Sequence, residues 1–179
     1  MCIRDSYETL YRQNIPVDIL PYDAEVSGYN LIVAPMLYMT KEGVAERLKD
    51  FVRDGGTLVT TVMSGLADEN DRCIFGASPG KLKDLLGIWV EETDALRPYE
   101  KNRMKLSDKL TLAKAEYDCG FLCDIIHTEG GAQVLAAYGE DFYAGCPCAT
   151  ENSYGKGKAY YIGTQPEQAF LDDFMEMVC

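Results

Sequence analysis

The residues able to do covalent chemistry in this chain are few. They are one histidine, His127, seven cysteines, and a serine at a sharp turn, Ser64. A nucleophile elbow has the form small-x-nucleophile-x-small, which lets the side chain stand clear of its strand. In Thr61-Val62-Met63-Ser64-Gly65 a glycine follows Ser64, but Val62 holds the place two before it, where a glycine is wanted. A Ser64–His127 dyad is the sharp reading. A turn serine and a packed or edge histidine is the bland one, and the spacing favours it.

The other constellations are equally incomplete. Cys119-x3-Cys123 and Cys146-x-Cys148, with His127 near in sequence, suggest zinc. Zinc knuckles, however, place turn residues between their cysteines. Here Gly120, Phe121 and Leu122 read as strand, and Pro147 sits between the second pair. Cys2, Cys73 and Cys179 complete an odd, irregular set with no secretion signal, which fits reduced thiols, buried in part, in a cytoplasmic protein. Gly155-Lys156-Gly157-Lys158 lacks phosphate-loop spacing and reads as a hairpin turn. Glu91-Glu92 and Asp172-Asp173 are adjacent pairs whose side chains diverge. Asp68-Glu69-Asn70-Asp71 is too short for a calcium loop. Trp89 and the tyrosines could stack on sugars, but core or interface packing is their commoner use. Residue types and spacing therefore assign no catalytic residue, no cofactor-binding residue and no metal ligand.

The elements that would position such residues are clearer. Arg47 to Gly65 is an amphipathic helix, a Gly-Gly turn, an apolar strand over Thr57–Val62 and a small-residue turn. The inner stripe is Val44, Ala45, Leu48, Phe51 and Val52, with Thr40 as expected cap and Gly55 as the left-handed stop. Leu31–Ala34 predicts a central parallel strand buried on both faces. Upstream, Tyr7, Leu10 and Tyr11 have helical spacing, Asn14 is a left-handed stop, and Val17–Leu20 reads as a short strand. Lys81–Leu86 is a short helix before Gly87-Ile88-Trp89-Val90, and Glu91–Leu110 has no clear pattern. Strands are expected over Phe121–Thr128, Ala132–Tyr138, Cys146–Asn152 and Lys158–Ile162, the last two as a hairpin. A helix over Glu167–Val178 closes the chain. The result is one α/β domain, three-layered in its first half and strand-rich in its second.

Bulk properties narrow the class. With 179 residues and 47% hydrophobic content, the chain can bury one core. Its net charge of −12 would repel a phosphate backbone, so nucleic acid is not an expected partner. Mean hydropathy is −0.17, and no apolar run approaches the roughly 20 residues of a membrane span. Residues 1–6, Met1-Cys2-Ile3-Arg4-Asp5-Ser6, resemble a translated sequencing-adapter artefact, which places the domain at 7–179. The first helix has no strand before it, although a helix in an α/β fold crosses between two strands. Truncation at the N-terminus is therefore expected, with exposed apolar groups that should make the chain aggregate or oligomerise.

An ordered series of motifs carries a resemblance. Tyr29-Asn30-Leu31-Ile32-Val33-Ala34-Pro35, Phe51-Val52-Arg53-Asp54-Gly55-Gly56-Thr57-Leu58-Val59 and Ser64-Gly65-Leu66-Ala67-Asp68-Glu69-Asn70 come first. Leu82-Lys83-Asp84-Leu85-Leu86-Gly87-Ile88, Phe142-Tyr143-Ala144-Gly145-Cys146-Pro147 and Tyr154 to Thr164 follow. Together they resemble the middle domain of glycoside hydrolase family 42 β-galactosidases. The resemblance implies a flavodoxin-like fold similar to class I glutamine amidotransferases without their cysteine nucleophile. It implies a trimerisation domain, and hence a homotrimer as partner. It implies a catalytic barrel upstream and a small β domain downstream, both absent here. It implies retaining hydrolysis of terminal β-D-galactosides by two barrel glutamates roughly 5 Å apart, with no catalytic residue, cofactor or metal in this segment. The alternative is a free-standing amidotransferase-like module that binds a ligand or partner at its strand ends.

Overall fold

Residues 44–61 set the frame of the molecule. The computed structural model describes residues 3–76 and 78–179. Met1 and Cys2, which belong to the hexapeptide and the cysteine set, lie outside them. Helix α2 (Val44–Arg53) ends at Asp54, Gly55 takes φ +122°, and β2 (Thr57–Thr61) follows. The helix buries Val44, Ala45, Leu48 and Val52, as its apolar stripe requires, with Phe51 packed partly against them.

Before this unit come α1 (Ile3–Arg12) and β1 (Leu31–Ala34). After it come a 3₁₀ turn (Gly80–Leu82), α3 (Lys83–Leu86), β3 (Ile88–Ala95), β4 (Asn102–Leu106) and β5 (Glu116–Thr128). The chain continues with β6 (Gln133–Tyr138), β7 (Pro147–Tyr154), β8 (Gly157–Ile162), β9 (Thr164–Pro166) and α4 (Gln168–Val178). All nine strands join one mixed sheet in the order β1-β2-β8-β7-β6-β4-β5-β3, with β9 added to β5. The pairs β1–β2 and β2–β8 are parallel, and the rest are antiparallel.

The layers follow from strand alternation, which sends successive side chains to opposite faces. Val59, Tyr160 and Ile162 face one core with Leu10 of α1 and Phe170 and Phe174 of α4. Leu58, Ala159 and Tyr161 face the other, with Leu48 of α2 and Leu85 of α3. Each such large apolar side chain contributes roughly 1.5–3 kcal/mol on burial. Helices α1 and α4 are also joined by polar bonds, Gln168 Nε2 to Thr9 Oγ1 at 2.6 Å and Gln13 Nε2 to the Asp172 carbonyl at 2.8 Å. The β7–β8 hairpin turns through Gly155 and Lys156, with Tyr154 opposite Gly157.

Several expectations change. The helical pattern begins at Ile3 rather than Tyr7, so Ile3–Ser6 join α1, and Ser6 is buried. Val17–Leu20 forms no strand and is not part of the sheet. Strand β1 is parallel as expected, yet it is the edge of the sheet and only half buried rather than central. Thr40 does not cap α2. Gly43 holds that place at φ +77°, while the Thr40 N–H donates to the Ala67 carbonyl. Within Glu91–Leu110 the structure forms most of β3 and all of β4. Charged residues on their open face concealed the alternation, which in β4 buries Asn102 and Met104 and exposes Arg103 and Lys105.

Candidate functional site

The end of β2 is where an α/β sheet presents chemistry. There Met63 adopts φ +68°, a left-handed conformation uncommon for a non-glycine residue and typical of a sharp strand-to-loop elbow. The local geometry thus has the backbone of a nucleophile turn. Its side chains serve another end. Ser64 is fully buried, with Oγ 2.7 Å from the Thr61 carbonyl, 2.7 Å from Thr60 Oγ1 and 3.0 Å from the Leu37 N–H, which donates to it. Thr60 Oγ1 lies 2.8 Å from the Ala34 carbonyl, and Thr61 Oγ1 accepts from the Met36 N–H at 2.8 Å. The three hydroxyls therefore stitch the end of β1 to the end of β2. A hydroxyl has one proton, and that of Ser64 is taken up by partners inside the protein, the Thr61 carbonyl or Thr60 Oγ1.

The turn is also covered. Ser78 Oγ donates to the Ser64 carbonyl at 2.9 Å. A Cβ on Gly65, at φ +70°, would meet the Pro79 carbonyl oxygen at 2.1 Å. Glycine is required there by both conformation and contact.

Beneath the turn lies a buried carboxylate, Asp124 of β5. Its two oxygens accept from Thr93 Oγ1 and Tyr161 OH, each at 2.6 Å, and its N–H donates to the Gly163 carbonyl at 2.7 Å. Burial pushes its pKa above the ordinary 3.8, while the bonds from Thr93, Tyr161 and the Met63 backbone oppose that rise. Nothing in the sequence pattern distinguished Asp124 from the solvated carboxylates around it. A carboxylate inside a run reading Phe-Leu-Cys-Asp-Ile-Ile is the one available signal.

His127 is elsewhere in β5 and faces solvent in part. It is paired in register with Trp89, stacks on that ring at 4.2 Å between centroids, and places Nε2 2.7 Å from Glu91 Oε2. Ser64 and His127 are not hydrogen-bond partners, so the dyad is not formed. Trp89, the candidate sugar platform, carries the histidine ring instead.

The cysteines separate too. Cys119, Cys123 and Cys148 are buried, Cys146 is half buried, and Cys73 and Cys179 are exposed, all as free thiols. Cys123 Sγ lies 3.5 Å from Thr164 Oγ1. Its bond from Cys119 holds Cys123 down at about 7, whereas the same bond and burial raise Cys119. No group of three or more ligand-type side chains among the described residues is placed to hold a metal. In the Asp68 cluster, Asp68 accepts from the Asn70 and Arg72 N–H groups and from Arg72 Nε, which lowers its pKa. Gly155 and Lys156 form the hairpin turn.

Comparison with known proteins identifies the family. A family model described as the β-galactosidase trimerisation domain matches residues 2–179. The chain is similar to β-galactosidase BgaP of Planococcus sp. (strain L4), 45% identical over 173 residues, covering 97% of this chain and 25% of that protein. The crystal structure of a β-galactosidase from Bacillus circulans sp. alkalophilus superposes with a TM-score of 0.95 at 43% identity, covering 98% of this chain and 26% of that one. The structure of Gan42B, a GH42 β-galactosidase, does so with a TM-score of 0.89 at 37% identity, covering 97% and 24%. The chain spans about a quarter of the length of the curated relatives it matches.

Proposed function

This chain belongs to the trimerisation-domain family of glycoside hydrolase family 42 β-galactosidases, and on that premise we propose that it is the self-association module of such an enzyme. Hydrolysis of terminal β-D-galactosides is then carried by residues outside it. The galactoside is bound by a barrel and not by this sheet. The observation that carries this reading is the β2 turn. It keeps an elbow backbone, yet every hydroxyl at the strand ends bonds the protein to itself. A net charge of −12 supports a partner other than nucleic acid, and no helix of the described residues is long and apolar enough to cross a membrane. A cytoplasmic site of action belongs to the same proposal, and six free thiols among the described residues support it.

The test has two readouts on the purified chain. Light scattering is expected to give a mass of three chains of 19.9 kDa at high micromolar concentration. A chromogenic β-galactoside is expected to remain unhydrolysed. A strict monomer at all concentrations overturns the assembly role. Turnover at the rate of a complete β-galactosidase overturns the non-catalytic one.

A further inference from the structure

Strand β5 carries an irregularity that brings two thiols together. Opposite β9, Cys119 pairs with Pro166, Gly120 with Gln165 and Cys123 with Thr164. Phe121 and Leu122 are therefore looped out of that ladder, and Phe121 takes φ +65° where the strand bulges. The bulge shortens the path between the cysteines. In an unbroken strand, residues four apart stand about 13 Å from each other at about 3.3 Å per residue. Here Cys119 and Cys123 face partners only two residues apart, which sets their Cα atoms about 7 Å apart along the strand. Disulfides span Cα separations of roughly 4.4–6.8 Å, so a small shift of the bulge brings the pair into range.

The side chains agree in direction. Thr164 and Pro166 are alternate residues of β9, both buried, with the exposed Gln165 between them, so they share one face of the sheet. Cys119 and Cys123, their partners, are buried in the core that also holds Tyr138 and Phe170. Cys123 Sγ lies 3.5 Å from Thr164 Oγ1, on that same face. The bond between the two thiols makes Cys123 the more acidic and Cys119 the proton-bearing partner. Cys148 of β7 is buried in the same core, and burial holds its thiol protonated and unreactive. A cavity of about 290 Å³ lies against the bulge, with Cys119, Gly120, Phe121, Gln165 and Pro166 in its wall. A single water takes about 30 Å³ of liquid volume, so the cavity has room for a small oxidant and for the bulge to move.

We propose that Cys119 and Cys123 form an oxidisable dithiol, which hydrogen peroxide closes to an intrachain disulfide across the β5 bulge. The Cys123 thiolate attacks one peroxide oxygen, the O–O bond breaks, and hydroxide leaves Cys123 as a sulfenic acid. The Cys119 sulfur then bonds the Cys123 sulfur, the S–O bond breaks, and the Cys119 proton leaves with the departing hydroxide as water. The two sulfurs lose two electrons and the peroxide gains them.

The test uses the purified full chain, reduced and freed of reductant. It is treated with hydrogen peroxide at neutral pH, its remaining thiols are alkylated in denaturant, and it is cut with chymotrypsin. Cleavage after Phe121 separates the two cysteines, so a disulfide leaves their peptides joined until reductant is added. A Cys119–Cys123 bridge in most chains is the expected result. Cys119→Ser is expected to abolish the bridge and leave Cys123 as a sulfenic acid that dimedone captures, and Cys148→Ala is expected to leave the bridge unchanged. Mapping on the unaltered chain decides the matter even if a variant fails to fold. A bridge to Cys148 in place of the Cys119–Cys123 bridge overturns the proposal. So does recovery of Cys119 and Cys123 as alkylated thiols once the exposed Cys73 and Cys179 are oxidised, or a bridge that forms only after unfolding in urea.

Discussion

Ser64, after the end of β2, and Asp124, within β5, illustrate how buried polar residues can be structural. Ser64→Ala removes an acceptor from the Leu37 N–H and a partner from Thr60 in a fully buried turn. A cost of about 1–3 kcal/mol in urea unfolding is expected, because a buried donor loses its acceptor. In a complete β-galactosidase carrying this domain, kcat per folded molecule should be unchanged, whereas a nucleophile reading requires its collapse. Asp124 gives a pH signature. Its folded pKa is raised by burial above 3.8. A carboxyl raised in this way contributes stability that is present below its unfolded value and is lost as pH rises through the folded one. The chain is therefore expected to lose stability relative to Asp124→Asn as pH increases from 3.8 upward, measured by denaturant titrations at a series of pH values. A difference between the two proteins that does not change with pH would refute this assignment.

At the scale of elements, the hairpin and the α2–β2 unit meet through glycines. A Cβ on Gly157 would lie 2.2 Å from the Gly56 carbonyl oxygen and 2.4 Å from that of Val52, both backbone atoms. Gly157→Ala must therefore push β8 away from the turn that ends α2. A loss of about 3 kcal/mol or more is expected in thermal unfolding. Gly28→Ala is the control, since nothing lies within 4 Å of its Cβ position. It should be neutral or stabilise by up to about 1 kcal/mol through the unfolded chain. The unit from Val44 to Thr61 was legible because its periodicity, stop glycine and β-branched strand agree with one another. Strands β3 and β4 were not legible, because their outward residues are charged and the partner of β3, β5, comes only after β4 in sequence. The bulge in β5 was also hidden. Phe121 takes φ +65° where the register to β9 shifts between Gly120 and Cys123, and it points out with 59% exposure.

For the whole molecule, charge and assembly can be checked together. The sequence pI of about 4.5 and net charge of −12 at neutral pH predict lowest solubility near pH 4.5, where self-repulsion vanishes. Turbidity measured across pH should peak there. The sequence by itself determined the α/β class, the main helices, the β7–β8 hairpin and the family, because each rests on local periodicity or ordered motifs. It also gave no reason to expect a Ser64–His127 dyad, since Val62 holds the place where an elbow wants a glycine. Only the tertiary structure decided that β1 is an edge, that Val17–Leu20 is not part of the sheet, and that Ser64, Thr60 and Thr61 bond two strand ends together. Those facts depend on which segments become neighbours across the sheet. Local sequence encodes which face of a strand is apolar, but the identity of its neighbour is fixed only when the whole sheet is assembled.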